Sequence, residues 1–371
     1  MFLALREIRR AKARFGLLMA VVALLVFLIL TQQALQSGLI TSFTGAIERQ
    51  SAPVLVYSVD GQRTLQGSVI TPALETTIAA VPGVAEAGKI GQGTFTVVVG
   101  GGDQSDAALI GYEKPRLGAP GQLSSGRLPQ AAGEAVGSSA DFSLGDRVRV
   151  VAGSGGPVLR VVGLAADAQI QVTPTLFVAW PDYVSATRAA NPDAATVLPS
   201  VIGVRPVPGV SDRELTTRIN AASAEADALT RSDAAAKTPG VAEVQNSFDV
   251  IFLLFALVVP LVTGLFFLII TLQKARALTL LRAIGAPASV LVRSLAIQVL
   301  IIIGGGIVVG TALFAPLSQA TVGSLELRFD PKVVLLWAAL LLALGLLSAA
   351  GAARRVLAID PVEATTGGGA R

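Results

Sequence analysis

Four stretches of this chain are long and apolar enough to cross a lipid bilayer, and every other feature has to be fitted around them. They run from Phe15 to Leu35, Phe248 to Leu272, Val290 to Leu313 and Val333 to about Ala353. An α-helix rises about 1.5 Å per residue, so about 20 residues cover the roughly 30 Å of hydrocarbon. With 52% hydrophobic and 15% charged residues and a mean hydropathy of +0.67, part of the chain belongs in lipid. The expected fold is an α-helical membrane domain of four transmembrane helices with an α+β domain inserted between the first and second.

That insert, 37–247, contains no spanning run, and its Gly, Pro and acidic content is that of a soluble domain. It carries 15 Lys/Arg against 19 Asp/Glu, so a chain of net +4 has an insert of −4 and +8 in the segments flanking its apolar runs. Basic charge beside spans marks the cytoplasmic side. A nucleic-acid binder would instead concentrate it on the soluble domain, so no nucleic acid is expected. The positive-inside pattern gives a cytoplasmic amphipathic helix at 1–14, transmembrane helices at 15–36, 248–272, 290–314 and 333–353, a cytoplasmic helix at 273–289, an external loop at 315–332 and a cytoplasmic tail at 354–371. The Phe15–Leu35 run is longer than a signal-peptide core and Thr31–Gln36 has no A-x-A-like cleavage site, so a retained anchor is expected.

Cysteine and histidine are both absent, which removes disulfides, the usual zinc ligands and histidine acid–base chemistry. No metal site and no catalytic residue is expected. No G-x-x-x-x-G-K-[ST] string occurs, so nucleotide hydrolysis is not expected on this chain.

Within the insert, strands are predicted at Val54–Val59, Thr94–Val99, Ala107–Gly111, Arg147–Val151, Val158–Val162, Thr175–Val178 and Val201–Val204. Helices are predicted at Pro72–Ala80, with Thr71 as cap, at Pro181–Arg188 and at Asp212–Leu229. In the spans, Pro260 frees a backbone carbonyl and permits a kink. Gly306 and Gly310 form a G-x-x-x-G pair that lets another helix approach closely, with local flexibility as the alternative.

Between the second and third spans lies Gln273–Pro287, a basic amphipathic stretch. Ala277, Leu280, Leu281 and Ile284 share one helical stripe, with Lys274, Arg276 and Arg282 around the axis and Gly285 and Pro287 as the stop. The residues alone allow two readings. One is an interfacial turn whose arginines snorkel to headgroups, the other a docking helix.

The string Leu281-Arg282-Ala283-Ile284-Gly285-Ala286 resembles the cytoplasmic coupling loop of the MacB/FtsX-like (type VII) ABC-transporter permeases. Leu3–Arg10 is similar to that family's N-terminal helix. Gly126-Arg127-Leu128-Pro129, Gly133-Glu134-Ala135-Val136 and Leu144-Gly145-Asp146-Arg147-Val148 resemble the G-R-x-P, E-V-V and L-G-D-x-V succession of its extracytoplasmic domain. Asp360-Pro361-Val362-Glu363-Ala364 resembles its C-terminal D-P-x-E-A motif.

The resemblance implies a permease that works as a homodimer with two copies of a separate ABC ATPase, in a bacterial cytoplasmic membrane. ATP-Mg would then belong to the partner subunit, and this chain would carry no cofactor. ATPase coupling would fall to Arg276, Leu281, Arg282, Ala283, Ile284, Gly285 and Ala286, with Asp360, Pro361 and Glu363 close to the same partner. Membrane lipid and an extracytoplasmic adaptor are further implied partners. Phe266-Phe267 and Thr271-Leu272-Gln273-Lys274 look most like the heme exporter and DevC-type branch, which implies export of a hydrophobic or amphipathic substrate. Without His or Cys, a heme iron could be met only by Met19, a tyrosine or a carboxylate. The alternative is an FtsX-like signalling protein that activates a cell-envelope hydrolase without transport.

Overall fold

A computed structural model describes residues 12–152, 155–193, 196–283, 288–317, 321–322, 325–326 and 331–357, and they divide into two compact units. The first contains the chain up to Leu35, from Asn246 to Ala320 and from Leu327 onward; the second contains Gln36–Gln245 and Thr321–Glu326. The start of the expected 1–14 helix lies outside the described residues.

Four long helices hold the apolar runs: α1 (Lys12–Arg49), α6 (Val241–Ala283), α7 (Ala288–Leu317) and α8 (Pro331–Leu357). Among the described residues, α1, α6 and α7 are long and apolar enough to cross a membrane, and α8 supplies a shorter apolar stretch, Val334–Leu347. Phe15, Leu18, Val22, Val26 and Ile29 of α1 fall at helical spacing and bury one stripe. They pack with Val299, Ile302, Ile303 and Phe314 of α7 and Leu341 of α8. By contrast, α6 leaves Leu253 at 68% and Leu261 at 64% exposure, as a lipid-facing helix should.

The α+β unit is built on α2 (Pro72–Ala79), α3 (Trp180–Ala190), α4 (Asp212–Ala222), α5 (Arg231–Ala236) and ten strands. The strands are β1 (Val54–Ser58), β2 (Val84–Val99), β3 (Gln104–Tyr112), β4 (Ser125–Gly126), β5 (Glu134–Ser138), β6 (Arg147–Val150), β7 (Val158–Ala165), β8 (Thr175–Ala179), β9 (Val201–Pro206) and β10 (Ala226–Thr230). A short hairpin, β11 (Thr321–Val322) with β12 (Leu325–Glu326), falls in the same unit.

The unit has two lobes that share β2. The elements β1-α2-β2 and β9-α4-β10 pair antiparallel in the order β10-β1-β9-β2, which is the split-βαβ, ferredoxin-like arrangement. Leu74 and Ile78 of α2 and Leu215 and Ile219 of α4 seal one face of this sheet against Val54, Val56, Ile202 and Val204. The chain between β2 and β9 forms the second lobe. There the C-terminal half of β2 pairs with β3, β3 with β8, β8 with β5, β5 with β7, β7 with β6, and β6 with β2 again, closing a ring. Closure removes the open edges that a lone sheet would expose. Phe95, Val97, Leu109, Val148, Val150, Leu159, Val161, Leu176 and Val178 fill the interior, each fully buried aliphatic contributing about 1.5–3 kcal/mol. Tyr183 of α3 stacks edge-on to Phe95 at 6.3 Å and lies over the bare backbone of Gly91 and Gly111, where a Cβ would collide with its ring.

The end of α1 belongs to this unit. Ala46 and Ile47 enter its core, and Ala46 N donates to Gln169 O (2.8 Å) while Ser42 O accepts from Val172 N (2.9 Å). A loop at 167–173 therefore engages both partners of one rung of the helix ladder. Gly45 is required there, because a Cβ would overlap the Asp167 carbonyl.

Two expectations need correction. The helix predicted over Asp212–Leu229 stops at Ala222, and Ala226–Thr230 is strand β10. Ala and Glu favour helix, yet Ala226 and Ala228 alternate with Asp227, and pairing along β1 supplies the backbone partners that decide the matter. The 273–289 segment is also not a separate helix. From Gln273 to Ala283 the backbone simply continues α6, because Thr271–Ala283 contains neither glycine nor proline to stop it.

Candidate coupling site

The α6 helix is 43 residues long, about 65 Å at 1.5 Å per residue, against roughly 30 Å of hydrocarbon. Its exposed apolar residues from Val250 to Ile269 cover one bilayer thickness. Gln273–Ala283 therefore projects about 16 Å beyond the apolar band as an uninterrupted helical extension. Arg276, Leu281, Arg282 and Ala283 are on its backbone. Ile284, Gly285 and Ala286 lie outside the described residues, and the chain resumes at Ala288, the start of α7. Asp360, Pro361 and Glu363 lie outside them as well. Pro260 stands within α6, helical on both sides.

Helix α7 meets α1 through glycine. A Cβ on Gly306 would stand 2.5 Å from Val22 Cγ1, and one on Gly310 2.5 Å from the Ala23 carbonyl oxygen. Gly305 has the Met19 side chain against it, and Gly345 of α8 packs on Ile303. Met19 thus serves as packing. Gly345 carries no glycine partner at four-residue spacing, so the sequence alone does not single it out.

In the barrel lobe, the G-R-x-P and G-E strings form one closed loop. Arg127 Nη1 and Nη2 donate to Glu134 Oε2 and Oε1 at 2.7 and 2.5 Å, and the Gln130 and Ala131 backbone N–H groups donate to Glu134 Oε2 at 2.9 and 3.2 Å. The bidentate guanidinium first, then the backbone donors, hold the Glu134 carboxyl down at about 2, against 4.5 ordinarily. Since the folded value is the lower, this contribution is present above about pH 4.5 and is lost as pH falls towards 2. Thermal unfolding of wild type and Glu134→Gln should accordingly differ at pH 7 and converge near pH 2; equal midpoints at pH 7 would show that the Arg127–Glu134 pair does not stabilise the lobe.

The FtsX-like permease C-terminal family matches residues 250–361, the stretch that holds the coupling segment and ends at the Asp360-Pro361 pair. An uncharacterized ABC transporter permease of Mycobacterium tuberculosis is 24% identical over 371 residues, covering 99% of each chain. Together these matches support a MacB/FtsX-like ABC-transporter permease. Such a permease implies an ATPase subunit as partner. This permease is also 25% identical, over 33% of its length and 35% of the relative's, to a Staphylococcus epidermidis protein named as a hemin transport system permease, HrtB. It is similar to the crystal structure of the periplasmic region of MacB from Actinobacillus actinomycetemcomitans, at 14% identity and a TM-score of 0.36, covering 50% of this chain and 92% of that one.

Proposed function

We propose that the permease is the membrane subunit of an exporter in which a separate ATPase pushes on the end of α6 and the displacement is relayed to the α+β unit. The observation that carries this reading is the family match over 250–361, which spans the helical extension and reaches Asp360-Pro361 at the start of the C-terminal motif. A single helix from Val241 to Ala283 is a stiff element, able to transmit a displacement applied at Arg276, Leu281, Arg282 and Ala283 without a hinge at the bilayer surface. Ile284, Gly285 and Ala286 would complete the knob that enters the ATPase, with Asp360, Pro361 and Glu363 beside it. ATP-Mg binds and is hydrolysed on the partner.

In this reading four helices cross the cytoplasmic membrane, both termini are cytoplasmic, the α+β unit is outside, and two permeases pair so that ATPase closure reshapes the space between their outer units. The substrate is hydrophobic or amphipathic. The hemin relative supports a heme-like cargo among these, alongside antibiotic or lipid-like ones.

The orientation has a direct test, because the chain has no native cysteine. A cysteine at exposed Ser125 should react with a membrane-impermeant maleimide on intact cells. One at Thr279 should react only after permeabilisation. Labelling of both from the same side would overturn the arrangement.

A further inference from the structure

The outer face of the barrel lobe carries charge opposite to that of its unit. Along β6 and its continuation, Arg147, Arg149 and Val151 point outward while Val148 and Val150 fill the core. On β7, Val158 and Arg160 are exposed and Leu159 is buried. The register sets Arg147 directly opposite Arg160, and Arg149 opposite Val158. Directly opposed like charges destabilise a sheet. Among the described residues none of these three guanidiniums has a carboxylate within ion-pair distance.

The carboxylates that could neutralise them are engaged elsewhere. Glu134 is in register beside Arg160 on β5, but its oxygens are taken by Arg127 and two backbone N–H groups. Asp146 accepts from Ser143 N at 2.8 Å, and Asp106 from Thr96 Oγ1 at 3.2 Å. The unit as a whole is acidic, so general basicity does not explain the cluster.

We propose that this face docks an acidic, extended segment of a partner polypeptide. Charge complementarity selects an anionic occupant, and the interleaved Val151 and Val158, 36% and 46% exposed, select a polypeptide over a phosphate polymer or a lipid surface. A strand alternating carboxylate and aliphatic side chains would satisfy the arginines and cover the valines at once. The surface is independent of the coupling segment and of which side of the membrane the unit occupies.

The test uses the full-length permease in nanodiscs of zwitterionic lipid, with a fluorescent peptide of alternating glutamate and valine as the probe. Binding that weakens by about tenfold or more in R147Q/R149Q/R160Q and diminishes with salt is expected. R147Q alone should be no less stable than wild type, since it relieves the opposed charges. The proposal is overturned by absent or arginine-independent peptide binding, by a marked loss of stability in R147Q, or by arginine-dependent capture of inorganic polyphosphate or phosphatidylglycerol vesicles in preference to the peptide. Conversion of the wild-type oligomer to a smaller species by the triple variant would assign the face to a second copy and likewise overturn it.

Discussion

Replacing Gly310 with leucine is expected to destabilise the membrane unit by about 3 kcal/mol, the upper part of the usual cost of overpacking a close contact. The cause is local. A Cβ there would be 2.5 Å from the Ala23 carbonyl oxygen and 2.8 Å from Val26 Cβ, so the first atom of the new side chain already meets α1 backbone. Neither helix can yield without giving up the stripe from Phe15 to Ile29. Gly304→Ala is the control, because a Cβ there meets nothing within 4 Å, and its midpoint should be unchanged or slightly higher. Chemical unfolding of the purified permease measures both. Equal midpoints for Gly310→Leu and Gly304→Ala would remove the close α1–α7 contact from the account.

The second large effect belongs to the coupling segment. Arg282→Glu with Gly285→Pro should lower substrate-stimulated ATP hydrolysis by the complex by at least about tenfold, since reversing a docking charge costs several kcal/mol of association. Insertion and folding of the permease should persist, as Arg282 lies beyond the apolar band of α6 and Gly285 follows the last residue of that helix in sequence. Unchanged coupled hydrolysis would detach Arg282 and Gly285 from force transfer, whereas loss of insertion would show that they serve folding instead.

Much of this architecture could be read from residue order, for identifiable reasons. The apolar runs announce the long helices because lipid imposes both length and composition. The Thr71 cap was equally legible: its hydroxyl accepts the Leu74 N–H at 3.2 Å. Strand β6 is visible as the alternation Arg-Val-Arg-Val, but that pattern says only that one face is buried. It could not disclose that β6 pairs back onto β2 and so closes a barrel, because that pairing connects segments far apart in the chain. The strand across from Arg147 is the next one in the chain, but the alternation does not fix the register of that hairpin or, with it, the opposed arginines. Strand β10 was misread because Ala and Glu carry a helical propensity that pairing along β1 overrides. The coupling segment was assigned its own helix on its amphipathic stripe, although nothing between Leu272 and Ala283 breaks the helix that precedes it.

A photo-crosslinking residue at position 282 of the full permease in intact cells interrogates force transfer at its source. A crosslink to a nucleotide-hydrolysing subunit is expected, changed in yield when ATP is trapped, with none to that subunit from a crosslinker at position 125. An adduct with lipid alone at 282, or an equal ATPase adduct from both positions, would contradict that expectation.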